Sequence, residues 1–204
     1  MTDCLIINTG VGNFESIKNV LNHIGLISKI SQYQENFDDF KNIIIPGVGS
    51  FDNVMANLKN HKDFSKLTNS NFIRDKKILG ICAGMQVLFN RSEEGKQKEA
   101  GLGLIDGNII KFDEKKNRVP HMGWNKVYGD NFFKELNNKR FYFAHSYHAK
   151  CESRYILGNT NYILEFPSFV KSNNVYGIQF HPEKSSTNGI NLLKKIFISS
   201  WNAS

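Results

Sequence analysis

Apolar residues recur along the chain in two spacings, and the first half alternates between them. Leu5 to Asn8 opens as a short apolar run of the kind that forms a buried strand. Phe14, Ile17, Val20, Leu21 and Ile24 then return at helical spacing, and Gly25 closes the helix. Leu26 to Ile30 reads as a second strand. Asn42 to Pro46 reads as a third, apolar over Ile43-Ile44-Ile45 and stopped by Pro46-Gly47. A helix is expected over Asp52 to Asn60, and a further strand, Lys77 to Ile81, leads into a helix from near Gly84 to Asn90. Short apolar strands alternating with helices predict βαβ units and a parallel sheet.

The stretch from Gly107 to Phe180 has a different character. It is rich in Tyr, Phe, Val and Ile with frequent Asn, Gly and Lys breaks, and reads as a run of strands, several of them antiparallel. The last of these spans Val175 to Phe180, and Ile190, Leu192, Leu193, Ile196 and Phe197 make a closing helix. No repeat, low-complexity block or linker divides the 204 residues. The expectation is one domain over 1–204, an α/β three-layer sandwich with a mixed, mostly parallel central sheet.

Composition narrows the function classes. Hydrophobic residues make up 40 %, enough for a core. No apolar run approaches the roughly 20 residues that span a bilayer, and the start Met1-Thr2-Asp3-Cys4 lacks the basic and apolar regions of a signal peptide. A soluble cytoplasmic protein without membrane contact is expected. The net charge of +7 is scattered, with short clusters only at Lys76-Lys77, Lys115-Lys116 and Lys194-Lys195. It reads as a solvated surface, not as the stripe of a nucleic-acid binder. Three cysteines without a CxxC argue against a disulfide framework or a thiolate zinc site. No metal or cofactor is expected. Cys4, in Cys4-Leu5-Ile6-Ile7, reads as core, and Cys151 as incidental.

Cys82 differs, because Gly80-Ile81-Cys82-Ala83-Gly84 has the form G-x-C-x-G between an apolar strand and a helix. That is the context of a nucleophile elbow, a sharp turn whose flanking glycines avoid clashes and whose nucleophile stands exposed at the sheet end. The following helix N-terminus would favour a thiolate, and the Ala83 N–H would face an oxyanion. A buried cysteine in a Gly-rich turn is the bland alternative. A base is available in Gln179-Phe180-His181-Pro182-Glu183, where His181 ends a strand and Glu183 stands two residues on. Catalytic groups collect at such strand ends, and Glu183 can fix the tautomer of His181. Alone, a His-x-Glu is ordinary surface polarity; with the elbow cysteine it makes a nucleophile, base and orienter. Pro46-Gly47-Val48-Gly49 can present backbone N–H groups to an oxyanion, or be a plain turn. It lacks the Gly-Lys-Ser/Thr ending of a P-loop, and Gly10-Val11-Gly12 lacks the third glycine of a dinucleotide fingerprint.

Together these residues resemble the class I (triad) glutamine amidotransferases. More narrowly, the chain is similar to the glutaminase subunits of imidazole glycerol phosphate synthases, over nearly its whole length. The segments that carry the likeness include Gly12-Asn13-Phe14, Pro46 to Phe51, Gly80 to Gln86, Ser92-Glu93-Glu94-Gly95 and Gly101 to Ile105. Pro120-His121-Met122-Gly123-Trp124-Asn125, Phe143 to Tyr147 and Gln179 to Ser185 complete them. The resemblance implies a Cys82, His181, Glu183 triad that hydrolyses glutamine through a glutamyl thioester. It implies that Gly47, Val48 and Gly49 supply or gate an oxyanion amide with Ala83 as the other donor, and that Gln86 and the Tyr147 region hold glutamine. It also implies a (β/α)8-barrel cyclase partner that receives the ammonia, met by Lys184 and the Pro120, Met122, Trp124, Asn125 segment. In such families the oxyanion hole is expected to be completed only when the partner binds its ligand.

His145 reads as a structural, hydrogen-bonded histidine, and Met122 and Trp124 have a plain packing alternative. Two positions depart from the family pattern. Ala83 replaces a usual Leu, and Asn8-Thr9-Gly10 stands where Asp-Tyr-Gly is usual. These hint at a diverged paralogue, and an alternative acceptor for the ammonia is a surface-polysaccharide synthase that amidates a sugar. A cysteine peptidase or deglycase-like hydrolase, and a non-catalytic subunit with a vestigial site, are the competing readings from other classes.

Overall fold

The computed structural model describes residues 3–95, 99–129, 134 and 137–198. Within the run expected to be mostly strand, 130–133 and 135–136 lie outside the described residues. The strands are β1 (Cys4–Ile6), β2 (Ser28–Ile30), β3 (Asn42–Ile45), β4 (Lys77–Ile81), β5 (Arg91–Ser92), β6 (Gly107–Lys111), β7 (His121–Gly129), β8 (Lys139–His145), β9 (Tyr147–Cys151), β10 (Ile156–Asn161), β11 (Glu165–Ser172) and β12 (Val175–Ile178). The helices are α1 (Phe14–His23), α2 (Phe51–Lys59), α3 (Ser70–Arg74), α4 (Ala83–Gln86) and α5 (Ser186–Phe197).

Nine strands form one sheet in the order β2-β1-β3-β4-β12-β11-β10-β7-β8. From β2 to β12 every pairing is parallel; from β12 to β8 every pairing is antiparallel. The parallel half holds the expected βαβ units, and the antiparallel half comes from the strand-rich stretch. A second sheet, β5-β6-β9, stands beside it.

Helices cover both faces of the parallel half, and the period of two decides which residue goes where. Cys4, Ile6, Ile44, Leu79 and Ile81 point to the side of α1 and α5, where they meet Ile17, Leu21, Leu192 and Ile196. Leu5, Ile7, Ile43, Ile45 and Ile78 point the other way, to Phe51, Val54 and Leu58 of α2 and to Met85. Three layers result. Cys4 is fully buried, and burial pushes its thiol up to about 12, as suits an inert core cysteine.

Boundaries differ where tertiary contacts override local pattern. The helix expected from near Gly84 to Asn90 is a single turn, Ala83–Gln86. Beyond it the backbone turns so that Leu102 and Leu104 can donate to the carbonyls of Val87 and Leu88. The short helix α3 has no buried residue, hence no apolar period to reveal it. β12 ends at Ile178; Gln179 N–H still bonds the Ser168 carbonyl of β11, but two residues later His181 N–H bonds Tyr142 instead. That last contact, an isolated bridge between Tyr142 and His181, brings β8 at the far end of the sheet back to the end of β12.

Candidate active site

β4 and β12 are parallel neighbours with Ile81 opposite Ile178, and Cys82 N–H bonds the Ile178 carbonyl at 2.8 Å. Register therefore brings Gln179 level with Cys82, and the bridge from His181 to Tyr142 places the imidazole at the same C-terminal edge of the sheet. Cys82 sits at φ 56° and ψ −115°, a conformation that L residues rarely adopt. Such strain costs of order 1–3 kcal/mol and persists where the surroundings over-determine it. The flanking glycines explain how. A Cβ on Gly84 would fall on the Ile45 carbonyl, and one on Gly80 on the Gly84 carbonyl. The turn folds back so tightly that only hydrogen fits at either position.

His181 Nδ1 lies 2.9 Å from Glu183 Oε1, with both side chains almost wholly buried. The other carboxylate oxygen, Oε2, has no hydrogen-bond partner among the described residues. Burial alone would lower the pKa of His181, but the charge of the Cys82 sulfur and the Glu183 carboxylate outweigh it, and the imidazole is pushed up to about 10. With Nδ1 held by Glu183, Nε2 is the nitrogen left for the sulfur. The sulfur and the carboxylate thus favour the imidazolium form of His181. The Gln179 side-chain nitrogen, 3.8 Å from Sγ, adds a donor to the sulfur. The helix dipole expected to help is small, because α4 has only one turn.

Cys82 and His181 open into a cavity of about 230 Å³ that is also lined by Val48, Gly49, Ala83, Gln86, Glu94, Tyr147 and Lys184. This volume suits an amino acid better than a peptide chain. Gln86 is held by its side-chain nitrogen, which donates to the Tyr147 carbonyl (3.2 Å) and to Gln179 Oε1 (3.1 Å). Glu94 follows β5, accepts the Phe51 N–H at 2.8 Å, and has its pKa raised by burial. It puts an acidic group on the cavity wall. A larger cavity, about 810 Å³, lies at the opposite ends of β4 and β12 and is lined by no cysteine, histidine or carboxylate.

The expected oxyanion donors are near the nucleophile but already engaged. Ala83 N–H donates to the Gly47 carbonyl at 3.3 Å, and Val48 N–H to the Val11 carbonyl at 3.4 Å. Gly47 packs so closely on the elbow that an added Cβ would meet Gly84 N and the Ala83 methyl. Thr9 ties the same segment from behind by donating to the Pro46 carbonyl at 2.9 Å. The loop around Gly10 and Val11, no nucleotide fingerprint, holds the Pro46–Gly49 segment in place.

The family model for glutamine amidotransferase class-I matches residues 5–200. The chain belongs to the class-I glutamine amidotransferases. Similar relatives include imidazole glycerol phosphate synthase subunit HisH 2 of Methanococcus maripaludis, 43 % identical with 93 % of this chain and 96 % of the relative covered. HisH 2 of Pseudomonas aeruginosa is 40 % identical with the same coverage, and HisH 1 of Campylobacter jejuni 36 %. The fold is shared with PurLQS of Thermotoga maritima at a TM-score of 0.73 and 18 % identity, covering 96 % of this chain and 98 % of that one.

In this amidotransferase, Cys82, His181, Ala83, Gln86, Val48, Gly49, Tyr147 and Lys184 meet in one cavity, with Gly47 and Glu183 directly behind it. Pro120, Met122 and Trp124 lie outside it, on the exposed face of β7 and the residue before it; Asn125 is half-buried. Met122 is 65 % exposed and Trp124 47 %. Trp124 stands edge-on to Tyr142, and Lys184 Nζ lies over the Tyr142 ring, so this patch runs up to the rim of the cavity. Sequence reasoning assigned no role to Gln179 or Glu94. A polar residue between Ile178 and Phe180 in a buried segment was the available signal for the first, and the paired acids of Ser92-Glu93-Glu94-Gly95 for the second. Among the described residues no group of acidic, histidine or cysteine side chains could hold a metal ion, and no helix is long and apolar enough to cross a membrane.

Proposed function

We propose that the chain is the cytoplasmic glutaminase subunit of an imidazole glycerol phosphate synthase, acting as a single amidotransferase domain. It hydrolyses glutamine and passes ammonia to a (β/α)8-barrel cyclase subunit that makes imidazole glycerol phosphate and AICAR in histidine biosynthesis. The observation that carries this reading is the Cys82, His181 and Glu183 alignment at the mouth of an amino-acid-sized cavity, in a chain whose relatives bear that synthase's name.

The thiolate of Cys82 attacks the carboxamide carbon of glutamine. His181, protonated at Nε2 and supported by Glu183, gives that proton to the departing nitrogen, leaving ammonia and a glutamyl thioester. Water, deprotonated by His181, cleaves the thioester to glutamate and returns Cys82 to its starting state. Glu94 and Gln86 hold the α-amino end of the substrate, with Tyr147 closing the side. The tetrahedral oxyanion needs two N–H donors. Because Ala83 and Val48 now donate to Gly47 and Val11, the hole forms when the Pro46–Gly49 segment moves. The partner's barrel docks on Met122, Trp124, Pro120, Asn125 and Lys184, next to that segment, and its binding promotes the change. Ammonia release then coincides with an acceptor in place.

The test is glutamate release from glutamine by the purified chain, alone and with the barrel subunit and its nucleotide ligand. Low activity alone and strong stimulation in the complex are expected. Cys82→Ala is expected to abolish release while the complex still forms by gel filtration. Full activity of this variant would remove Cys82 from the mechanism. Stimulation only by a barrel subunit from a polysaccharide gene cluster would assign the ammonia to sugar amidation.

A further inference from the structure

Two buried histidines take no part in the proposed proton transfers, although one of them, His145, lines the cavity. His121 in β7 and His145 in β8 are direct cross-strand partners, and the register sets His121 Nδ1 3.0 Å from His145 Nε2. His145 Nδ1 lies 2.7 Å from the Tyr147 carbonyl oxygen, and His121 Nε2 3.2 Å from the side-chain nitrogen of Asn125. Burial pushes His145 down to about 3 and His121 to about 4, so both rings are neutral at physiological pH.

A neutral imidazole has one N–H and one lone pair, which makes the direction of this chain unique. A carbonyl can only accept, so His145 carries its proton on Nδ1. Its Nε2 is then a lone pair and accepts from His121 Nδ1–H. His121 Nε2 in turn accepts from the Asn125 amide, which also donates to the Asn161 carbonyl at 2.9 Å. Inward, the Tyr147 carbonyl takes its second hydrogen bond from Gln86, Gln86 donates its other N–H to Gln179 Oε1, and Gln179 thereby turns its nitrogen toward Cys82 Sγ. An unbroken run of hydrogen bonds joins Asn125, beside exposed Met122 and Trp124, to the nucleophile.

We propose that His121 and His145 are positioning residues: a one-directional relay from Asn125 pins the Tyr147 carbonyl in place, and through it Gln86 and Gln179, so that the Gln179 N–H is kept within reach of the Cys82 sulfur. If the outer donor is lost, His121 can move its proton to Nε2. His145 must then either face a lone pair with a lone pair or shift its own proton off the Tyr147 carbonyl. The Tyr147 carbonyl is then no longer pinned by His145 and can shift, taking Gln86 with it and moving the Gln179 N–H away from the Cys82 sulfur. The inference rests on Cys82 as the nucleophile, not on any identity of the partner.

The experiment follows Cys82 alkylation by iodoacetamide in the full chain at one fixed pH, by mass spectrometry, with and without glutamine. Asn125→Ala removes the outer donor at a half-exposed position. His145→Phe removes the inner donor, whereas His145→Asn keeps an amide N–H close to where Nδ1 stood. Asn125→Ala and His145→Phe are expected to slow alkylation roughly 3- to 10-fold, the range of one ordinary hydrogen bond. His145→Asn is expected to recover most of the loss. Nitrogen NMR of the wild-type chain is expected to show both rings protonated at Nδ1. Unchanged alkylation in Asn125→Ala and His145→Phe, no recovery in His145→Asn, or protonation at Nε2 in either wild-type ring would overturn the relay. Absence of glutamine protection in the wild-type chain would instead count against the glutaminase reading, since the relay is read from the alkylation rates alone.

Discussion

At the scale of single residues, the site works by neighbours that correct one another. Burial by itself would leave His181 neutral and unable to protonate a leaving group, and the sulfur and Glu183 reverse that. Glu183 offers one oxygen to His181, while the other is buried with no partner among the described residues. Glu183→Gln preserves an acceptor for Nδ1–H and removes the charge. Its kcat for glutamine hydrolysis in the complex is expected to fall by roughly 10²-fold with KM nearly unchanged, as steady-state kinetics would show. A large rise in KM with constant kcat would place Glu183 in substrate binding instead. Ala83, where the resembled family usually has Leu, sets its methyl against Gly47 and keeps the backbone N–H that the proposed mechanism uses as an oxyanion donor.

At the scale of elements, β4 and the elbow show how backbone packing selects residues. Gly80 and Gly84 are glycines because the chain folds back on itself and on β3, and neither has a positive φ to account for. Gly84→Ala would press a methyl into the Ile45 carbonyl. A loss of about 3 kcal/mol, at the upper end for overpacked sites, is expected in urea unfolding, and a stability within 0.5 kcal/mol of wild type, the ordinary scatter of harmless substitutions, would contradict the packing. β7 teaches the complementary lesson. Its alternation places His121 and Val127 inward and Met122, Trp124 and Tyr128 outward. The six residues Pro120 to Asn125 thus serve both the buried relay and the exposed patch, one on each face.

The whole molecule joins a parallel half that presents Cys82 and His181 to an antiparallel half that brings Tyr142, His145 and, through the second sheet, Tyr147 against them. The join is built on neutral buried histidines, which ties stability to pH. For His121 and His145 the folded pKa lies below the unfolded value of 6.5, so the unfolded chain binds more protons as pH falls through 6.5 and stability declines until about 4 and 3. Burial lowers His61 and His148 in the same direction. His181, raised to about 10, contributes stability that is complete below pH 6.5 and fades only as pH rises toward 10, so it does not offset the acid loss. Between pH 7 and pH 5 the unfolding free energy is expected to drop by roughly 2–4 kcal/mol, at about 1.4 kcal/mol per unit for each fully displaced histidine. Urea titrations at the two pH values measure it, and equal midpoints would show these histidines to be solvated.

The chain alone determined those features that are written in contiguous residues. Apolar runs and helical spacing placed β1, β3, β4 and α5 to within a few positions, and Gly80-Ile81-Cys82-Ala83-Gly84 with His181-Pro182-Glu183 singled out the groups proposed to react, since each motif depends on local geometry. Tertiary structure decided which distant segments meet. That Val48 and Ala83 already spend their N–H groups on Val11 and Gly47, that α4 stops after one turn, and that His121 pairs with His145 all follow from register between strands far apart in sequence. A hydrogen bond is set by the position of both partners, and a local pattern carries only one of them.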